Sequence, residues 1–327
     1  MGGACQLCGD RSCEAVSEYD RHGKPLRTVL CLGCGSVTND PIPSDEELAA
    51  FYRSDYRRAY KGAAEPRMRQ VWRNFSRIGQ HLRDNAGFYC AGARCLDLGS
   101  GSGEFVYLAG RIGMDCVGVE PNEPYAVYSR EKLGLDVLNQ SLEDSRFPEE
   151  SFDLIRLSHV LEHMRAPVRS LATLREWLAP DGLIYIEVPN ILDEAGRKVK
   201  GRIFHYGHVF NFSPRTLRNA AALAGLIEHP ASASRYGDHT CGFFRRGEAA
   251  IAGAQAADRD NAARVAAALK SHGARYLPAD RGTGAALAAG GAALAARLSE
   301  IVAARRFASP RAIGDHFAGR MAGIGQP

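Results

Sequence analysis

The stretch Cys95-Leu96-Asp97-Leu98-Gly99-Ser100-Gly101-Ser102-Gly103-Glu104-Phe105 leaves this chain few folds to choose from. Cys95, Leu96 and Leu98 make a short apolar strand, and three glycines at alternate positions let the backbone turn tightly and approach a ligand with no Cβ in the way. Phe105, Leu108, Ala109 and Ile112 then fall on one face of a helix that begins near Glu104. Strand, glycine turn and helix in that order open a βαβ unit, which binds ligands at the carboxyl ends of its strands. A dinucleotide site in such a unit wants G-x-G-x-x-G, because pyrophosphate rests on the helix N-terminus. Here Glu104 holds the third position of that frame, and a carboxylate there repels pyrophosphate.

The pattern continues downstream. Met114 to Val119 reads as a second strand ending at Glu120-Pro121, where an acid can accept both hydroxyls of a ribose. Leu135 to Leu138 is a third strand, followed by Gln140-Ser141-Leu142-Glu143-Asp144. Ser151 to Ser158 is a fourth, running into His159-Val160-Leu161-Glu162-His163, and Leu178-Ala179-Pro180-Asp181-Gly182 is a proline-glycine turn before a fifth strand that reaches Asn190. In this order the segments resemble the class I S-adenosylmethionine (SAM) dependent methyltransferases, with motif I at Asp97 to Gly103 and a post-II motif of the ubiquinone type at Ser151 to His163. The resemblance covers about residues 92 to 246. It implies an α/β, Rossmann-like seven-stranded sheet with Gly225 to Pro230 and His239 to Arg246 as its antiparallel last pair. It also implies SAM as cofactor: Asp97 at the methionine end, Gly99, Ser100, Gly101, Gly103 and Phe105 in the loop around it, Glu120 and Pro121 at the ribose, Ser141, Leu142 and Glu143 at the adenine, and Ser158 under the sulfonium.

Nine cysteines need an explanation, and they divide. Cys13, Cys90, Cys95, Cys116 and Cys241 are scattered and read as small buried hydrophobes. Cys5-Gln6-Leu7-Cys8 and Cys31-Leu32-Gly33-Cys34 are two C-x-x-C pairs separated by 22 residues, room for a short hairpin. Each turn aims two thiolates at one point, and four thiolates satisfy tetrahedral zinc with no position left for catalysis. Gly9 and Gly35 follow the second cysteine of each pair, as rubredoxin-like knuckles often require. A redox pair is the competing reading and leaves the other pair without a use. Structural Zn2+ on Cys5, Cys8, Cys31 and Cys34 is therefore expected, folding residues 1–43 that lack a core of their own.

Residues 44–91 read as a helical lid or linker: Ser44 and Glu47 form a capping box, a segment with Tyr52, Tyr56, Arg57, Arg58, Tyr60 and Lys61 follows, and Arg67 to Leu82 is amphipathic. A ribbon followed by such tyrosines is similar to the zinc-containing sugar C-methyltransferases, which implies a lid with Tyr60 touching the cofactor; the plain alternative is a helix with snorkelling arginines. Residues 92–247 are then the SAM-binding domain and 248–327 an alanine-rich helical region, with helices at Asn261 to Lys270 and Gly284 to Arg306 suited to pairing with a second subunit.

Methyl transfer needs two substrates held in line and, for a hydroxyl or amine, removal of a proton. Histidine suits the second task. His159 and His163 end the fourth strand, and His205 and His208 lie in the insertion Arg202 to Phe212 that the resemblance places against the acceptor. The plain alternative has His163 packing and His159 fixing a loop, with Glu162 structural, and no histidine-glutamate-cysteine spacing points to a catalytic metal. A net charge of +4 and no dense basic run disfavour a nucleic-acid partner. The N-terminus lacks a signal peptide pattern and the longest apolar tract, Ala285 to Ala296, is short and glycine-interrupted, so a cytoplasmic protein without membrane attachment is expected. The acceptor is expected to be a small molecule or a sugar-linked group, oxygen slightly favoured over carbon or nitrogen. A non-catalytic binding protein on the same fold and a nicotinamide oxidoreductase are the other readings.

Overall fold

The computed structural model describes residues 3–54, 65–193, 203–232, 239–247, 257–271 and 285–325. Tyr56, Arg57, Arg58, Tyr60 and Lys61 of the tyrosine-arginine segment lie outside them. In chain order the strands are β1 (Cys13–Tyr19), β2 (Pro25–Cys31), β3 (Val37–Asn39), β4 (Arg94–Leu98), β5 (Asp115–Val119), β6 (Val137–Leu138), β7 (Phe152–Ser158), β8 (Leu178–Pro189), β9 (Phe210–Asn211), β10 (Leu226–Glu228) and β11 (His239–Arg246). The α-helices are α1 (Asp45–Ser54), α2 (Met68–Asp84), α3 (Glu104–Arg111), α4 (Glu123–Tyr128), α5 (Pro167–Trp177), α6 (Pro214–Leu223), α7 (Arg259–Ser271), α8 (Ala285–Ala304) and α9 (Pro310–Ala318).

A seven-stranded mixed sheet has the order β10-β11-β8-β7-β4-β5-β6, and a second sheet runs β1-β2-β3-β9. The chain divides into two compact units, Met1–Phe51 with Phe147–Pro278, and Tyr52–Arg146 with Ala279–Pro327.

In the first unit β7 and β8 are parallel, while β11 is antiparallel to both β8 and β10, as the resemblance implied. The expected turn before the fifth strand is instead an irregularity within β8: Phe152 pairs with Leu178 but Leu154 with Leu183. Pro180 has no N–H for a ladder, and a Cβ on Gly182 would lie 2.8 Å from the Leu178 Cδ1, so this backbone loops out where only glycine fits. The ribbon strands share their core with the rest of the unit: Val16, Leu30 and Val37 are buried with Ile191, Ile203, Phe204 and, from α7, Val265 and Leu269. β9, from the insertion, adds to the ribbon sheet through Val37↔Asn211 and Thr38↔Phe210.

In the second unit β4, β5 and β6 are parallel. β6 is shorter than the Leu135 to Leu138 expected, because Leu135 turns back toward the glycine loop, where its Cδ1 would sit 2.5 Å from a Cβ on Gly103. Helix α2 buries Val71, Phe75 and Leu82, the amphipathic face read from the sequence. The C-terminal helices α8 and α9 pack on α2, and α9 also on α3. Trp72 meets Phe307, His316 and Phe317, and a Cβ on Gly314 would lie 2.6 Å from a Tyr107 ring carbon, so α9 rests close upon α3. The α9 helix was not expected from the sequence.

Candidate functional site

The glycine loop belongs to the second unit. Gly99, Gly101 and Gly103 all have positive φ, at 72°, 59° and 85°. The N–H groups of Gly99 and Ser100 both donate to the Val119 carbonyl, at 2.8 and 3.0 Å, which fastens the turn to the end of β5. At Gly103 an added Cβ would meet Leu135 and Ser129, so this glycine serves close packing; at Gly101 it would meet nothing within 4 Å, leaving an open cradle of backbone. Asp97 is completely buried at the end of β4, beneath that cradle. Glu120 accepts from the Gly101 N–H at 2.8 Å and from the Asn122 N–H at 2.9 Å. Pro121 follows it, exposed, and Phe105 is buried in the first turn of α3. Ser141 and Leu142 begin a tight turn in which the Ser141 hydroxyl donates to Asp144 at 2.7 Å, with Glu143 exposed within it. Glu104 is buried and accepts from Ser102 at 2.7 Å and Asn74 at 3.0 Å, so a carboxylate occupies the place a pyrophosphate site gives to glycine. The loop therefore fits a cofactor without phosphates.

The four candidate histidines belong to the first unit and fall into two groups. His159 follows Ser158, the last residue of β7, in the left-handed conformation with φ 57°. Its Nδ1 lies 3.4 Å from Glu162 and its Nε2 3.3 Å from Glu187. Burial pushes its pKa down, but the two carboxylates outweigh that and raise it to about 9. Burial pushes the Glu187 carboxyl up, yet His159 and the Tyr185 hydroxyl, which donates at 2.7 Å, hold it well below the usual carboxylate range. His239, the first residue of β11, lies 3.7 Å from the same Glu187 oxygen. His163, His205 and His208 form the second group around Gly207. Nδ1 of His163 donates to the Gly207 carbonyl at 2.6 Å, and Nδ1 of His205 accepts from the Gly207 N–H at 2.9 Å, so one peptide residue sets both tautomers. The half-buried His208 ring stands 4.9 Å from that of His163 and 5.3 Å from that of His205.

Glu187 and His239 were missed in the sequence. The only local signal was a carboxylate interrupting the apolar run Ile184 to Val188; the partner is brought in by the β8–β11 register, which sets Cys241 opposite Glu187 and so puts His239, two residues earlier, on the same face.

The four cysteines of the ribbon come together. Their sulfurs all lie within 4.8 Å of one another, with Cys5 and Cys34 at 3.6 Å and Cys8 and Cys31 at 3.5 Å. A tetrahedral zinc with Zn–S near ~2.3 Å sets sulfurs roughly 3.8 Å apart, so the residues fit the ion. Each knuckle closes on its glycine: Gly9 N–H donates to the Cys5 carbonyl and Gly35 N–H to the Cys31 carbonyl, both with φ near 80°. Hydrogen bonds with Cys31 and Cys34 hold the Cys5 thiol far below the usual thiol range, while hydrogen bonds with Cys31 and Cys5 push the Cys34 thiol up. Asn261, at the start of α7, donates to the Cys34 carbonyl at 2.8 Å.

A seven-stranded sheet with a glycine cradle after its first parallel strand, a buried aspartate below and an acid on the next strand is the class I SAM-dependent methyltransferase arrangement. The family model described as a methyltransferase domain matches residues 61–227, just over half of the chain, and the chain belongs to that family. It is similar to a ubiquinone biosynthesis O-methyltransferase of Cereibacter sphaeroides, 36% identical over 104 residues that make up 30% of this chain and 42% of that relative. It is also similar to a tRNA U34 carboxymethyltransferase of Azotobacter vinelandii, 30% identical over 36% of this chain and 37% of the relative. The chain thus spans about half or less of the length of the curated relatives it matches. The crystal structure of a Burkholderia thailandensis 1,6-didemethyltoxoflavin-N1-methyltransferase with S-adenosylhomocysteine is 19% identical, with TM-score 0.48, over 65% of this chain and 96% of that one.

Proposed function

We propose that the chain is a methyltransferase that moves a methyl group from SAM to a hydroxyl of a small-molecule or sugar-linked acceptor. The observation that carries this is the open backbone cradle at Gly101 above buried Asp97, inside the segment the methyltransferase family model matches. When bound, SAM supplies a methyl carbon already activated by its sulfonium. Asp97, Gly99, Ser100, Gly101 and Gly103 would hold its methionine part, Glu120 and Pro121 its ribose, and Ser141, Leu142 and Glu143 its adenine, with Phe105 packing the loop; Ser158 and Tyr60 remain proposed contacts.

The acceptor oxygen must lose its proton as the new C–O bond forms. His159 has a carboxylate at each ring nitrogen, and His205 and His163 each commit Nδ1 to Gly207. We assign the base to His208, whose half-buried ring in the insertion is held by those of His163 at 4.9 Å and His205 at 5.3 Å. Zn2+ on Cys5, Cys8, Cys31 and Cys34 is proposed as structural, since four thiolates leave it no open position. The domain division 1–43, 44–91, 92–247 and 248–327 and a cytoplasmic setting belong to the same proposal; among the described residues no helix is long and apolar enough to cross a membrane.

Calorimetric titration of SAM and S-adenosylhomocysteine into protein of known metal content tests the reading. Micromolar binding of both, followed by transfer of labelled methyl to hydroxylated acceptors, is expected. Binding of NADH instead, or no binding by folded protein, would overturn it.

A further inference from the structure

We propose a second metal site in this protein, apart from the four cysteines, formed by His159, Glu187 and His239 and suited to a divalent first-row transition ion. The three residues come from the end of β7, from β8 and from the start of β11, and each offers one ligating atom within 4.8 Å of the others. Glu187 Oε1 is the shared neighbour, 3.3 Å from His159 Nε2 and 3.7 Å from His239 Nδ1. Ligand atoms on a zinc-sized ion with bonds of about 2.0–2.2 Å sit roughly 3.3 Å apart, so both Glu187 distances already lie within a few tenths of an ångström of that spacing, and the two histidine nitrogens, within 4.8 Å of each other, have to draw together on the ion.

The surroundings hold two of the three ligands, His159 and Glu187, as a metal centre requires. A ligating histidine normally gives its other ring N–H to a carboxylate, which fixes the tautomer and aims the ring. Here Nδ1 of His159 faces Glu162 at 3.4 Å, and the Glu162 side chain is 2% exposed. The ligating carboxylate is likewise held from behind: the Tyr185 hydroxyl donates to Glu187 Oε2 at 2.7 Å, which leaves Oε1 for the ion. His159 takes up φ 57°, a conformation that an L-residue with a side chain adopts under constraint, and this turn at the end of β7 points its ring at Glu187. Two imidazoles and one carboxylate match zinc, iron(II), cobalt(II) or manganese(II) and leave coordination positions open to water or a ligand oxygen. This differs from the cysteine cluster, where all four positions are sulfur.

The site does not depend on which acceptor is methylated, and it is tested without turnover. Protein carrying zinc on its cysteines is titrated with Co2+ alone and followed by visible absorption. A saturable band at one Co2+ per chain, without a thiolate charge-transfer band, is expected. Glu187→Gln and His239→Ala should each weaken it at least tenfold, and Glu162→Gln by about 10–100-fold. His163→Ala, which leaves the trio intact, should bind as the unaltered protein does. No saturable band in the unaltered protein overturns the proposal, as does undiminished binding in both Glu187→Gln and His239→Ala. Loss in His163→Ala alone assigns the ion to Glu162, His163 and His208 and overturns it too.

Discussion

Asp97 is an ionisable group with no exposure to solvent, placed under a loop whose backbone is open at Gly101. A carboxylate buried at the end of β4 keeps a strong preference for cationic donors, and a bound amino acid's ammonium group is one. Asp97→Ala should weaken SAM binding by roughly 10- to 100-fold, the weight of a charged hydrogen bond, while circular dichroism shows the fold intact; unchanged affinity would remove the cofactor assignment. His208→Gln should lower kcat by about 10²–10⁴ with SAM affinity preserved, as loss of a general base does; a smaller change, seen in a pH–rate profile of the same shape, would show His208 to be structural. Which of these residues could be read in advance follows from range. Asp97, Gly99, Gly101, Gly103 and Glu120 lie in one strand-turn-helix-strand stretch, so their pattern is local. Glu187 and His239 become neighbours only through an antiparallel pairing across 51 residues, and no local periodicity reports that register.

At the level of single elements, caps were legible because their chemistry is written within four residues. Ser44 and Glu47 exchange bonds at 3.2 and 2.7 Å as expected. Ser213 accepts from the Thr216 N–H at 3.2 Å, with Pro214 in the first turn of α6. Ser213→Ala should cost about 1–2 kcal/mol, read as a shift in urea midpoint without change in slope. The α9 helix escaped notice because it follows a long alanine-rich tract and is only nine residues long; its stability comes from packing, not propensity. Gly314→Val should therefore lower Tm by several degrees, since a Cβ there meets the Tyr107 ring at 2.6 Å and the Phe75 ring at 3.0 Å. Equal Tm would mean that α9 contributes little to the unit. β9 was equally invisible: two residues, Phe210 and Asn211, carry no strand pattern of their own and are a strand only because β3 lies beside them.

For the whole molecule, the seven-stranded sheet was implied by the order of motifs, whereas the integration of both termini was not. The ribbon core extends into the insertion and α7, and α8 and α9 pack on α2. Leu294, Leu298 and Val302 lie four residues apart on α8 and are 57, 53 and 56% exposed, the stripe that a second copy of the chain would cover in the proposed homodimer. Leu298→Glu should convert a dimer to a monomer in light scattering; an unaltered mass would place the interface elsewhere. Chelation of zinc should melt the ribbon first, and stability with the four cysteines replaced would show that the ion does not fold it.

The pairing of β3 with β9 bears on how the protein can be made and kept in solution. Thr38 and Val37 cover Phe210 and Asn211, Asn39 N–H donates to the Val209 carbonyl at 3.2 Å, and its side chain reaches the Tyr206 carbonyl at 3.1 Å. A chain cut before Ser44, or synthesised where zinc is scarce, would present that backbone as a bare strand edge beside buried phenylalanines, the kind of surface that recruits another copy into a growing aggregate. The metal supply of the cell would then set how much of this protein stays dispersed, well before it set how much is active.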